Sequence, residues 1–586
     1  MRQWMVAAKK ADFYAIAEKF HVDPVVARII RNREVIGEKN IRIYLGGNLS
    51  DLSDPHQMKD MDRLVEILAQ KIRKQVHIRI IGDYDVDGVT SSHLFLTALR
   101  RVGAKVDVVI PHRIQDGYGL SLHLLQQAKE DGVDTILTCD NGIAAIDEIA
   151  WAKAQKMTVL VTDHHAVPFE EHEGRRTEKK SLADAVVNPH QQDCRYPYKE
   201  LCGAGVAWNV IRVLYENYDM DKREAEDLLD FVAMATVCDV MSLTGENRIL
   251  VKEGLKRIRH TKNIGLQALM QACNVQPENI SAYHFGYVLG PCVNATGRLD
   301  TARHALRLFE TGQETEAEEI ARDLVDLNQE RKELTLQGVE MAKKLCEEGG
   351  YENDPILVLF LPDVHESIAG LIAGRIREMY NRPVFVLTRG EEGVKGSGRS
   401  TENYSMYENM CGCAELFTKF GGHPMAAGLS LPEENVEKFR RKINENCPLT
   451  VEEVCPDIHI DMAMPVGYAS TELVHQFALL EPFGKDNPSP LFADRNLSIS
   501  RMWLIGKNRN VLRMSVLSEY GQPGPVIFFG DVETLFAYFT EKFGQEEVEN
   551  ALHGRKNRIL FSMVYTAKID FYQGNENLQL EMKYYR

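Results

Sequence analysis

The chain has 586 residues, 44% hydrophobic and 26% charged, and its 69 Lys and Arg face 85 Asp and Glu for a formal net charge of -16. That is the composition of a soluble globular protein with enough chain for several domains, and no apolar stretch approaches the length needed to span a bilayer. The acidic balance argues against a wholly basic nucleic-acid-binding surface, yet a strand contacts one groove, and site carboxylates that bound cations would offset also enter the total.

In chain order, the first ten residues hold too short an apolar core for a signal peptide. The eleven Cys are scattered without paired CxxC motifs, Cys411-Gly412-Cys413 coming closest. Free thiols in a reducing cytoplasm are expected. Residues 1–40 read as an N-terminal helical segment, with Asp23-Pro24 opening a helix.

From about 75 to 190, short apolar runs alternate with amphipathic segments, the pattern of a parallel βαβ sheet. The run His77–Ile81 leads into Asp83-Tyr84-Asp85-Val86-Asp87-Gly88. If the extended backbone persists, the carboxylates of Asp83, Asp85 and Asp87 point to one side, a cluster that hard divalent cations would neutralise. Thr90, Ser91 and Ser92 then begin the next helix. Further apolar runs end in Asp140, in Asp163-His164-His165 and in Asp239. A lone strand-end Asp is usually a helix cap, but in an open α/β sheet such groups gather outside the carboxyl ends of the strands.

Residues 170–181 read as a surface loop, and 199–218 and 222–235 as helices. Between 312 and 347 the apolar periodicity predicts a single long helix, the alternative being two helices broken near Gly338. A second α/β lobe follows, with strands at 356–361 and 383–387 around a helix at 367–380. It carries Lys395-Gly396-Ser397-Gly398-Arg399-Ser400 and Gly421-Gly422-His423. The glycines leave room for a nucleotide backbone, Arg399 can pair bidentately with phosphate, and Ser397 and His423 can donate hydrogen bonds. Short strands near the C-terminus suggest a small β-barrel, an OB-fold. Its candidate single-strand platform is Trp503, Lys507, Arg509 and Arg513 with Tyr565, Lys568, Phe571 and Tyr572.

The Asp83–Asp87 element, Asp140, Asp163-His164-His165 and Asp239 together resemble the four motifs of the DHH phosphoesterase superfamily, and Gly421-Gly422-His423-Pro424 resembles the companion DHHA1 signature. Asn294-Ala295-Thr296-Gly297-Arg298 is similar to an element of the RecJ branch, which comprises single-strand-specific exonucleases. The resemblance implies an α/β fold of two lobes, DHH and DHHA1, joined by a long helix and followed by an OB-fold β-barrel. The boundaries expected are 1–40, 41–311 for DHH, 312–347 for the connecting helix, 348–455 for DHHA1 and 456–586 for the barrel.

The same resemblance implies a metal-dependent 5′-3′ exonuclease for single-stranded DNA, acting in DNA repair and recombination through two divalent ions, Mn²⁺ or Mg²⁺. Asp140 would bridge the ions; Asp85 with Asp83 would complete one, and Asp87, His164 and Asp239 the other. His165 would face the scissile phosphate or steady a ligand. Asn294, Arg298, Ser397, Arg399, Gly421, Gly422 and His423 would bind substrate. Cys292 stands where that branch commonly has a basic residue, and Val364-His365-Glu366-Ser367 departs from its usual Trp-His-Pro-Gly. A helicase and a single-strand-binding protein are the partners such an enzyme would take, and a cytoplasmic monomer is expected. Two other functions are weighed: a hydrolase of oligoribonucleotides or cyclic dinucleotides, and an inactive DNA-binding scaffold.

Overall fold

The computed structural model describes residues 3–112, 116, 119–172, 175–299, 301–390, 393–506, 509–572 and 574–586. Two compact units divide the chain, one covering 49–456 and one combining 3–48 with 457–586. Among the described residues, no helix is long and apolar enough to cross a membrane.

The first unit contains a five-stranded parallel sheet in the order Lys105–Val109, His77–Ile81, Thr135–Cys139, Thr158–Thr162, Ala185–Val187. The three middle strands are β-branched and nearly all buried, as a parallel sheet covered on both faces requires. Numbered along the chain the order is 2-1-3-4-5. Connections therefore leave the first strand to opposite sides, and a crevice opens at the carboxyl ends of the first and third strands. Asp83 and Asp140 follow those two strands.

Strand alternation does not carry the aspartates. The strand stops at Ile81, and the helix Val86–Arg101 starts with Asp85 as its N-cap, Oδ1 accepting the Gly88 amide at 3.1 Å. A capping turn therefore gathers Asp83, Asp85 and Asp87, because an Asp side chain satisfies otherwise orphaned amides. Gly88 makes the turn possible: a Cβ there would lie 2.4 Å from the Asp83 carbonyl oxygen. Thr90 and Ser92 sit inside the helix rather than opening it, their hydroxyls donating back to the carbonyls of Val86 and Gly88.

Two other local expectations differ. Segment 222–235 is split into the helices Lys222–Glu226 and Leu229–Cys238, the latter ending at Asp239. The strands Phe169–His172 and Arg175–Glu178 pair as a hairpin where a loop is expected, with the Arg176 guanidinium over the Phe169 ring at 4.5 Å.

The helix Glu314–Glu348 is unbroken over 35 residues. Gly338 within it marks a close approach, since a Cβ would come within 2.3 Å of Ile372 in the helix Glu366–Tyr380. Beyond it a second sheet runs in the order Lys419–His423, Ala426–Leu431, Gly393–Arg399, Val384–Gly390, Leu357–Phe360, with only the last pair parallel.

The second unit is a β-barrel closed by the pairing of Phe492–Ile505 with Leu560–Tyr572. Its core includes Val25, Val26, Ile29 and Ile30 from the N-terminal helices. Arg33, 428 positions from Asp461, clamps it with Nη1–Oδ1 at 2.7 Å and Nη2–Oδ2 at 3.1 Å. Tyr565, one of the aromatics more readily read singly as core than as platform, is fully buried and donates its hydroxyl to the Met464 carbonyl at 2.8 Å. Trp503 lies opposite Arg513 across two strands, and Phe571 is 71% exposed. Lys507 and the side chain of Tyr572 lie outside the described residues.

Candidate metal centre

Acidic and imidazole groups from four separate loops converge at the crevice. Asp83, Asp85 and Asp140 bring carboxylate oxygens within 4.8 Å of one another; so do the ligand atoms of Asp87, His164 and Asp239, and those of Asp140, His164 and His165. His164 stands at the junction, its Nε2 lying 3.0 Å from Asp140 Oδ1, 3.6 Å from Asp239 Oδ2 and 3.7 Å from Asp87 Oδ2.

Local backbone explains each position. Asp140 leaves its strand in the left-handed region, φ +61°, which Asp tolerates better than most residues. The neighbouring Asn141 amide donates to the carbonyls of Ile81 at 3.0 Å and Cys139 at 2.9 Å, tying the two strand ends together. Asp163 is the organiser of the third loop: Oδ1 accepts the His164 and His165 amides and His165 Nδ1 at 2.8 Å, and Oδ2 accepts the Ile143 amide at 2.9 Å. Asn188 then donates to the His165 carbonyl at 2.9 Å.

The crowding of like charges sets the electrostatics. Burial, then Asp85, raises the Asp83 carboxyl well above its ordinary range. Burial, then Asp87, Asp85 and Asp239, does the same to Asp140. Burial and Asp87 raise Asp85. Burial lowers His164, keeping its imidazole neutral, the form that offers a lone pair. Burial also opposes a charged His165, but the hydrogen bond to Asp163 and the surrounding carboxylates prevail and raise it to about 9.

These residues fit divalent cations. Neither buried oxygen of Asp83 receives a well-formed hydrogen bond among the described residues, although the Tyr84 and Gly119 amides lie near enough to temper its rise. Orphaned buried carboxylate oxygens beside other carboxylates are costly without counter-charge. Five carboxylates with two imidazoles form an oxygen-rich set suited to Mn²⁺ or Mg²⁺, and no thiolate belongs to the clusters among the described residues.

The expected substrate residues fall in different places. Asn294 accepts the Val86 amide at 3.1 Å, steadying the capping turn. Arg298 reaches across to the Ser367 carbonyl at 2.7 Å. Ser397 and Gly421 line an open groove of about 420 Å³, with Lys395, Lys419 and Ser430. Arg399 is not in that groove; its guanidinium packs beside Gly370, where a Cβ would be 2.8 Å from Nη2. Gly422 and His423 are exposed on the edge strand.

Two features escape a reading by motif. Gly203 and Ala204, at the start of the helix Gly203–Asn217, donate their amides to Asp87 at 2.6 and 2.8 Å. Asp163 holds the His164 and His165 backbone amides and the His165 ring rather than joining the clusters. The signal for the first was Gly203-Ala204-Gly205 at the head of an apolar helix, where free amides await an anion.

A doubly wound parallel sheet with this Asp and His constellation at its switch point, followed by a glycine-bearing second sheet, defines a DHH-type phosphoesterase. The chain matches the DHH family N-terminal domain over residues 77–236, the DHHA1 domain over 353–447 and the RecJ OB domain over 460–584. It is 32% identical over 581 residues to a Haemophilus influenzae relative, covering 96% of each chain. With a Bacillus subtilis relative it shares 33% identity over 512 residues, 87% of this chain and 63% of that one. A Thermus thermophilus structure superposes with a TM-score of 0.81 at 24% identity, covering 100% of this chain and 79% of that one. The chain belongs to the RecJ family.

Proposed function

We propose that the chain is a single-stranded-DNA-specific exonuclease, hydrolysing phosphodiester bonds from the 5′ end with two divalent ions. The observation that carries this reading is the pair of adjacent clusters, Asp83–Asp85–Asp140 and Asp87–His164–Asp239, meeting where Asp140 Oδ1 and His164 Nε2 are 3.0 Å apart. Support comes from the Haemophilus relative, named a single-stranded-DNA-specific exonuclease, and from a solved exonuclease RecJ bound to manganese. That structure is 32% identical, with a TM-score of 0.57, over 66% of this chain and 94% of that one.

Asp140 would bridge the ions, with Asp83 and Asp85 on one and Asp87, His164 and Asp239 on the other. Bound there, Mn²⁺ or Mg²⁺ supplies an activated water and neutralises phosphate charge. The chain's own groups do the remaining work. Gly203 and Ala204 hold Asp87 in one rotamer, and Asp163 fixes the His165 ring. His165, its ring fixed by Asp163 and its side chain 39% exposed, would face the scissile phosphate. Asn294 and Arg298 line the path of the strand, and Ser397 and Gly421 with Lys395 and Lys419 hold its backbone in the groove of the second sheet. Gly422 and His423, exposed on the edge strand, would extend the grip, whereas Arg399 lies outside that groove beside Gly370 and would meet the strand elsewhere. In this reading the enzyme is a cytoplasmic monomer in DNA repair and recombination, working on strands opened by a helicase and coated by a single-strand-binding protein.

The test is end-labelled single-stranded DNA, blunt duplex DNA and short RNA incubated with Mn²⁺. Stepwise mononucleotide release from the 5′ end of single-stranded DNA is expected. Equal rates on all three substrates, or release from the 3′ end, would overturn the assignment.

A further inference from the structure

Cys273 ends the helix Ile264–Ala272 and is half-buried; Cys292 lies in the helix Gly290–Leu299 and is 1% exposed. Their sulfurs are 3.7 Å apart. A disulfide needs about 2.05 Å, so side-chain rotation with a small shift of one helix closes the gap. The connecting helix completes the nest, Asn328 donating its amide to Cys292 Sγ at 3.3 Å.

The two thiols differ in readiness. Cys273 is the more accessible sulfur; the hydrogen bond with Cys292, opposed by burial and aided by the Lys332 ammonium, lowers it. By contrast, burial pushes up the thiols nearest the carboxylates, Cys139, Cys202 and Cys238.

The helix bearing Cys292 also steadies the metal centre. Asn294 accepts the Val86 amide, and Gly297 fits so closely under Tyr84 that a Cβ would lie 2.5 Å from its carbonyl oxygen. Arg298 reaches the Ser367 carbonyl from the same helix. A pull on Cys292 therefore acts on the turn holding Asp83, Asp85 and Asp87.

We propose that Cys273 and Cys292 are a modification site for hydroperoxides, forming a reversible disulfide that slows the nuclease by displacing the Gly290–Leu299 helix. The Cys273 thiolate attacks a peroxide oxygen, the O–O bond breaks, and the departing alkoxide, or hydroxide from hydrogen peroxide, takes a proton to leave as an alcohol or as water. Cys292 then attacks the resulting sulfenic acid at sulfur; the S–O bond breaks, and hydroxide leaves with the Cys292 proton as water. Two thiols lose two electrons in all, and one peroxide gains them.

The regulatory half rests on the nuclease reading; the bond itself does not. The full chain is treated with hydrogen peroxide, alkylated, digested without reduction and mapped by mass spectrometry, with nuclease rates taken before and after dithiothreitol. A linked Cys273–Cys292 peptide is expected, with a roughly tenfold to hundredfold loss of rate that dithiothreitol restores, the scale on which displacements of about 1 Å act. Cys273→Ser should keep the reduced rate, yield no linked peptide and resist peroxide. Absence of the linked peptide in the native chain overturns the site. A linked peptide with an unchanged rate overturns the regulation. An inactive reduced chain refutes the nuclease reading, while the peptide map still decides the disulfide.

Discussion

Gly203 donates its amide to Asp87 Oδ2 at 2.6 Å, and it has no room for a side chain, since a Cβ would sit 2.6 Å from the Asp140 Cβ. One glycine thus spaces the two clusters. Gly203→Ala is expected to cost roughly tenfold to a hundredfold in rate, because it displaces both carboxylates. Gly312→Ala, with nothing within 4 Å, is the matched control and should be neutral. Equal rates for the two variants would show that Gly203 does not set the spacing.

Asp140 is both the proposed bridge and the carboxylate most burdened by its neighbours. Asp140→Asn should lower hydrolysis by roughly a thousandfold, the equivalent of several kcal/mol of transition-state stabilisation, and more than His165→Ala. Its stability should change in opposite directions with conditions. Removing a crowded charge raises the unfolding midpoint in chelator, whereas losing a shared ligand lowers the gain on adding Mn²⁺. Calorimetry with and without the ion reads both signs, and a midpoint that moved alike in both conditions would argue against a bridging role.

Much of this site is legible in the sequence because β-branched runs announce buried parallel strands, and the order of a doubly wound sheet brings Asp83 and Asp140 to one crevice. Alternation would put Asp83, Asp85 and Asp87 on one side only if the backbone stayed extended, and Asp and Gly are equally turn residues; the strand stops at Ile81 and Asp85 satisfies the Gly88 amide at 3.1 Å. Capping outweighs strand continuation where amides would otherwise be orphaned. Local pattern is silent on tertiary partners: nothing near Arg33 names Asp461, and nothing near Tyr565 distinguishes a core ring from a stacking platform.

Asp230 provides a pH test away from the metal centre. Burial raises its carboxyl to about 6, against hydrogen bonds from Thr261 and the Phe231 amide. A folded pKa above the unfolded one means the folded state binds the proton more tightly. The stability this contributes is therefore fully present below the unfolded value near 3.8 and is lost as pH rises through about 6. The loss is about 3 kcal/mol at most, at about 1.36 kcal/mol per unit. Asp230→Asn, permanently uncharged, should unfold at a higher temperature than the native chain at pH 7, with the advantage fading as pH approaches 4. A pH-independent difference would contradict this.

The Arg33–Asp461 pair has side chains 9% and 7% exposed, and Asp461 also accepts the Leu491 amide at 3.0 Å. Asp461→Ala strands a buried guanidinium and should destabilise the barrel unit by about 3–5 kcal/mol. Denaturant unfolding, followed by the fluorescence of Trp503 in the barrel, measures it. A loss below about 1 kcal/mol, the level of an exposed pair, would mean the N-terminal helices are only loosely attached.

The shared core decides how the barrel's part in substrate binding is tested. Deleting the chain from Met462 onward would expose Val25, Val26, Ile29 and Ile30, which pack in that core, so point variants in the intact chain are cleaner. Phe571, 71% exposed, and Arg513, paired across strands with Trp503, are the candidates for stacking and phosphate contact. Stacking is worth about 1–3 kcal/mol per base, so Phe571→Ala should raise KM for long strands by roughly fivefold to a hundredfold. Arg513→Ala should flatten the salt dependence by about one counterion. Neither should alter kcat on a short oligonucleotide, since the proposed metal ligands all precede residue 240. Unchanged KM and salt slope in both variants would assign the barrel to something other than holding the strand.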